Sequence, residues 1–288
     1  MSTLRGFLLP ALGALLMFTV PPSLAEVGES DGQPVRGDGM LIDLWRMGKP
    51  AFGEYVTQSK ESEGAKPAGY TRETGTELAS NVLLDFAFLS LEQHYDRESA
   101  EAVLEGVRNG SGNTGLSLLV RIPPISEDGI GAARTRVKEL LAMGADGVVV
   151  PHVLSLEEAR TAISFFDGVD VWSPQNPDGT VVAMLIVEDP DVFAELEAIA
   201  DLTGYSSLVC GIGSLTGALN GDRDAAELIN LRVLAQSKRA GLIDMITVDP
   251  ASVERRVEQG FLGLLAYGPE SDRTIRIGRS ALHRANSE

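Results

Sequence analysis

The feature that most constrains this chain is a series of eight apolar runs, at 51–56, 83–91, 116–122, 147–153, 181–188, 207–212, 242–248 and 261–266. Most are unbroken rather than alternating, which fits strands covered on both faces, as in a parallel sheet. Amphipathic stretches such as 131–143, 156–166, 191–202 and 224–240 lie between them. Ser155 precedes one of these with Glu157 and Glu158 in its first turn, while Gly144 and Gly241 stand where helix-ending glycines belong. Strand–helix alternation repeated eight times in one α/β chain predicts a (β/α)8 TIM barrel. A doubly wound open sheet is the competing topology, but no Gly-x-Gly-x-x-Gly opens a helix after the first strand.

The first 25 residues read as an export signal: Arg5 gives the basic start, 6–20 the apolar stretch, and Ser23-Leu24-Ala25 a small-x-small cleavage site. The apolar stretch is short for a bilayer crossing and Pro10 interrupts it, so no stable membrane span is expected after cleavage. No cysteine follows it, which argues against a lipid anchor. The mature chain is expected to start near Glu26, periplasmic or secreted, with a flexible lead-in at 26–39 and one barrel domain at 40–288. A net charge of -17 disfavours nucleic acid, whose binding depends on neutralising phosphates. Cys210 is the lone cysteine, so no internal disulfide supports the fold.

Functional side chains of such a barrel belong at the carboxyl ends of its strands. Those positions hold Glu92, Gln93 and His94 after the second strand, Arg121 at the third and His152 at the fourth. Glu188 and Asp189 follow the fifth, Gly213 and Ser214 the sixth, and Asp249 the seventh. This polar ring contains two of the chain's three histidines.

The order of local motifs resembles the HpcH/HpaI family, the metal-dependent class II 2-keto-acid aldolases related to the citrate lyase β-subunit. The resemblance rests on Gly48-Lys49-Pro50-Ala51-Phe52-Gly53, the run from Asp85 to Glu92, and Val120-Arg121-Ile122-Pro123. It continues through the run from Leu140 to Pro151 with Glu157-Glu158-Ala159, Val187-Glu188, and the block from Gly204 to Leu219. It spans nearly the whole mature chain and implies a barrel of the phosphoenolpyruvate/pyruvate-domain type. It also implies a lyase that makes or breaks a carbon–carbon bond beside a pyruvate-like group. The partners implied are a small 2-keto acid or aldehyde and, through the arginine-rich tail from Asp272 onward, further copies of the chain in a homo-oligomer.

In that family a Glu after strand five and an Asp after strand six hold a divalent ion, which fits Mg²⁺ or Mn²⁺ given oxygen ligands. By resemblance Glu188 is the metal Glu, and Ser214 stands at the second metal position. Arg121 stabilises the enolate and binds substrate. Gly213 and Ser214 lie on the turn that holds the substrate carboxylate. His152, named from its strand-end position rather than from the resemblance, is a further candidate substrate contact. Glu92, Gln93 and His94 occupy the region of the proton-transfer residues. Three positions depart from the pattern. Ser214 replaces an acid, Gln93 stands where the family His is, with His94 one residue late, and Ile186 replaces a frequent Gln. The departures favour a second reading, an impaired or repurposed barrel that binds a small carboxylate. Bland alternatives also exist: Ser214 as a helix N-cap, Glu188 or Asp189 starting a helix, and Asp249-Pro250-Ala251-Ser252 opening the next one.

Overall fold

The computed structural model describes residues 40–56, 70–110, 112–113 and 115–285. The expected export signal at 1–25 and lead-in at 26–39 lie outside the described residues. The eight strands are β1 (Ala51–Val56), β2 (Phe86–Ser90), β3 (Ser117–Arg121), β4 (Gly147–Val150), β5 (Val182–Val187), β6 (Ser207–Cys210), β7 (Met245–Val248) and β8 (Gly263–Tyr267). All ladders are parallel, in the order β6-β5-β4-β3-β2-β1-β8-β7. The sheet's two ends meet where Leu208 N donates to Ile243 O at 3.0 Å and Ile243 N donates to Ser206 O at 3.1 Å. The chain is therefore a (β/α)8 barrel, closed at its lower rim. Above that bridge no ladder joins β6 to β7 among the described residues. The strands are mostly shorter than their apolar runs, because residues flanking a ladder stay buried after its hydrogen bonds have ended.

Helix signals act as expected. Ser155 Oγ accepts from Glu158 N at 3.1 Å and opens the helix Leu156–Ile163. Gly144 and Gly241 have φ of 92° and 73°, a region glycine reaches without steric penalty, and they end the helices Ile125–Met143 and Arg223–Ala240. Asp249 Oδ1 accepts from Ala251 N and Ser252 N just before the helix Val253–Gln259, as that motif suggested. Two expectations need correction. The stretch 191–202 divides into a 3-10 turn, Pro190–Ala194, and a short helix, Leu196–Ala200. Ser214 is not an N-cap, since the helix Ile212–Ala218 begins at Gly211 and has no side-chain cap.

Because side chains alternate along a strand, each strand serves two cores. Leu118, Val120, Leu185, Leu208 and Leu264 pack outward against the helices. Phe86, Phe88, Leu119, Val149, Met184 and Met245 fill the barrel interior. A helix at Met40–Arg46, not foreseen from the sequence, plugs the lower end with Leu41, Ile42 and Trp45. Trp45 Nε1 donates to Leu262 O at 2.9 Å, and its ring lies 5.9 Å from that of Trp172. Burial of such large apolar side chains contributes about 1.5–3 kcal/mol each. The tail helix Ser271–Ala285 packs on its own barrel, where Arg279 Nη2 reaches Asp85 Oδ1 at 2.9 Å. Among the described residues no helix is long and apolar enough to cross a membrane.

Candidate active site

The alternation that builds the interior turns Tyr55, Ser90, Arg121, Glu188, Gly211 and Thr247 toward the barrel axis near its carboxyl end. Register pairs Ser90 with Arg121 directly. Arg121 Nε donates to Ser90 Oγ at 3.1 Å, and Nη2 donates to Tyr55 Oη at 2.7 Å. Nη2 also lies 2.7 Å from Glu92 Oε2. The guanidinium carbon sits 5.6 Å from the Tyr55 ring centre and 5.7 Å from that of Phe88, whose rings stack on each other. Partners on β1, on β2 and in the loop after β2 thus fix the fork. Among the described residues no hydrogen bond engages Nη1, which leaves one edge of the guanidinium for a ligand.

Glu188 follows β5 and is only 5% exposed. Its seat requires a glycine opposite. A Cβ on Gly211 would overlap Glu188 Oε2 and lie 2.6 Å from its carboxyl carbon. His152 follows β4 with φ of 51°, a left-handed conformation that costs a non-glycine residue about 1–3 kcal/mol. That turn sets the imidazole between two acids, with Nδ1 2.8 Å from Glu188 Oε1 and Nε2 3.0 Å from Glu92 Oε1. Neither ring N–H is aligned on its oxygen, so both Oε1 atoms remain buried without a directed donor despite these short approaches.

The charges divide the proton chemistry. Contact with Glu188, then with Glu92, outweighs burial and raises the His152 pKa from 6.5 to about 10, so the ring is an imidazolium at neutral pH. Burial pushes the Glu92 carboxyl up, but His152 and Arg121 more than offset it and hold the group below its usual range. An ionised carboxylate thus stands beside a protonated imidazole, the arrangement of a proton acceptor next to a donor.

Of the residues named from sequence, the structure brings together Arg121, Glu92, His152 and Glu188; Arg121, Glu188, Gly213 and Ser214 line the cavity, whereas Glu92 and His152 contact Arg121 and Glu188 without lining it. Gln93 and His94 do not join them; both are exposed on the loop after β2 and line no part of the cavity. The cavity measures about 230 Å³.

Several solved structures share this architecture. An HpcH/HpaI aldolase/citrate lyase family protein from Burkholderia cenocepacia J2315 superposes with a TM-score of 0.63 at 21% identity, over 85% of this chain and 98% of that one. The HpcH/HpaI aldolase from Desulfitobacterium hafniense DCB-2 gives 0.61 at 19% identity, over 84% and 95%. The chain has the fold of HpcH/HpaI aldolase/citrate lyase family proteins. The citrate lyase β-subunit from M. tuberculosis, solved with oxaloacetate and magnesium, gives 0.56 at 16% identity, over 83% and 98%. No protein-family model matches the sequence, and no curated protein is similar to it.

Within this aldolase/lyase fold, sequence reasoning passed over Tyr55, Thr247 and the steric role of Gly211. Alternation along β1 and β7 places the first two on the face that carries Arg121, so strand registers were their only signal. Oxygen-rich sites suit hard cations, and the buried Oε1 of Glu188, without a directed donor at the cavity edge, fits such an ion chemically. No group of three or more His, Cys, Asp or Glu side chains is arranged to hold a metal among the described residues. Any ion there would draw further ligands from Ser214, water or substrate.

Proposed function

We propose that this barrel is a carbon–carbon lyase acting beside the keto group of a small 2-keto acid. The observation that carries the reading is the convergence of Arg121, Glu92, His152 and Glu188 at the carboxyl end of the barrel, where Arg121 and Glu188 line a small cavity and Glu92 and His152 contact them. Cleavage next to a keto group moves an electron pair onto the keto oxygen and makes an enolate. Arg121 offers its open Nη1 edge to that charge, already oriented by Tyr55 and Ser90, so little reorganisation is needed when the charge develops. Glu92 takes the proton released from the substrate hydroxyl, and His152 returns a proton to the enolate carbon. Glu188 holds His152 in place.

Mg²⁺ or Mn²⁺, where bound, would be held by Glu188 with Ser214 as a neutral donor and would supply Lewis-acid stabilisation of the enolate. The position of His152 favours a second reading, in which the site binds a small carboxylate without a metal. Its imidazolium already compensates the two acids a cation would draw on. Calorimetric titration with oxalate, with and without Mn²⁺, separates the two. The lyase with a metal requires Mn²⁺-dependent binding that Glu188→Ala abolishes. Binding indifferent to Mn²⁺ supports the second reading, and no binding in either condition refutes both.

We also propose that the chain works outside the cytoplasm as a homo-oligomer. Support comes from Arg5 with its following apolar stretch and from the arginine-rich tail. The amino terminus of the exported protein, read by mass spectrometry, and light scattering test these two points. A retained residue 1 or a monomer would refute them respectively.

A further inference from the structure

The interior of a (β/α)8 barrel is normally filled by side chains in layers. Here the cavity continues downward past the charged rim into that interior. Its floor is formed by Phe88, Met184, Ile186, Val209, Met245 and Leu265. Ile186 and Val209 keep 6% and 7% exposure, whereas Met184, the next inward position below Ile186, and Leu119 keep none. The opening therefore ends at the middle layer. Its origin is the parting of β6 from β7 above the Ser207–Ile243 bridge, together with Gly211, which adds no side chain at the rim. The polar atoms stay at the upper edge, on Tyr55, Arg121, Glu188, Ser214 and Thr247. No charged or amide side chain lines the floor.

Resting on the 2-keto-acid reading above, we propose that beyond its reacting carbinol the substrate carries a short hydrocarbon tail, free of further hydroxyl groups, that lies in this chamber while its acid head meets Arg121. A volume of about 230 Å³ lies below that of drug-sized ligand sites, about 300–1,000 Å³, so the tail is a few carbons long. Met184 and Met245 are unbranched and conformationally adaptable, which lets the floor follow tails of different shape. A hydroxyl placed there would lose its water partners and gain none, which disfavours sugar-derived polyhydroxy substrates.

The test is a calorimetric affinity series on the full-length protein in the metal condition that supports oxalate binding. It compares oxalate, pyruvate, 2-oxobutanoate, 2-oxopentanoate and 2-oxohexanoate with a terminally hydroxylated 2-oxopentanoate. The inference requires affinity to rise about fourfold per added methylene over the first members. It also requires the hydroxylated compound to bind about tenfold or more weakly than its parent. Val209→Leu, which narrows the chamber, is expected to lower the ratio of 2-oxopentanoate to oxalate affinity. Oxalate binding with a flat or falling methylene series, or with equal binding of the hydroxylated compound, would overturn the tail assignment and leave the 2-keto-acid reading standing. Failure of oxalate and every 2-oxo acid to bind would overturn both. The wild-type series decides the matter even if the variant fails to fold.

Discussion

Replacing His152 by Gln tests whether the imidazolium ties Glu92 to Glu188. A group whose pKa is raised on folding stabilises the native state fully below its unfolded value, and that stabilisation disappears as pH rises through the folded value. For His152 the window runs from 6.5 to about 10. At about 1.36 kcal/mol per tenfold change in proton affinity, full coupling would contribute roughly 5 kcal/mol. The side chain is 34% exposed, however, so solvent screening reduces the expected value to about 1–2 kcal/mol. Urea unfolding of wild type and His152→Gln from pH 6 to 10.5 measures the difference directly. The variant should be less stable by about 1–2 kcal/mol near pH 6, and the two curves should converge by about pH 10. A gap that stays constant across this range would show that His152 is not an imidazolium held between two carboxylates.

Three further outcomes follow from the geometry. Gly211→Ala keeps an allowed backbone, φ -73°, but drives a methyl into Glu188, so oxalate affinity should fall at least about tenfold while stability falls by about 1–3 kcal/mol; unchanged oxalate affinity in calorimetry would contradict the packing. Trp45→Ala empties the plug under the barrel and should cost about 3–5 kcal/mol in urea unfolding; a loss below about 1 kcal/mol would mean that the helix Met40–Arg46 contributes little. Asp244 is buried, which pushes its carboxyl well above the usual range, and neither side-chain oxygen has a hydrogen-bond partner. Burial thus favours its protonated form, and Asp244→Asn, which resembles that form, should change stability by less than about 1 kcal/mol at pH 7; a larger loss would show an ionised carboxylate.

The barrel was legible because strands buried on both faces write themselves as continuous apolar runs, and glycines such as Gly144 and Gly241 mark where helices stop. Arg121, Glu188, Glu92 and His152 were legible as a set because the rule locating barrel sites depends only on where strands end. What the sequence hid depends on contacts between distant segments. The plug helix has an ordinary short sequence, and only Leu262 and Trp172 explain Trp45. The importance of Gly211 lies in the Glu188 carboxylate across the strand pair, which no local pattern encodes. Gln93 and His94 directly follow Glu92, which in sequence places them beside the chemistry. The β2 ladder ends at Ser90, however, and the chain then leaves the axis and carries both into solvent. His152 bridges two acids only because its backbone adopts a left-handed turn, a preference invisible in a Pro-His-Val sequence.

The decisive observation is a crystal structure of the protein soaked with oxalate and Mn²⁺. The account predicts oxalate density against the open edge of Arg121 and beside Glu188, above the apolar floor. Oxalate bound elsewhere, with the cavity at Arg121 filled only by water, would contradict it.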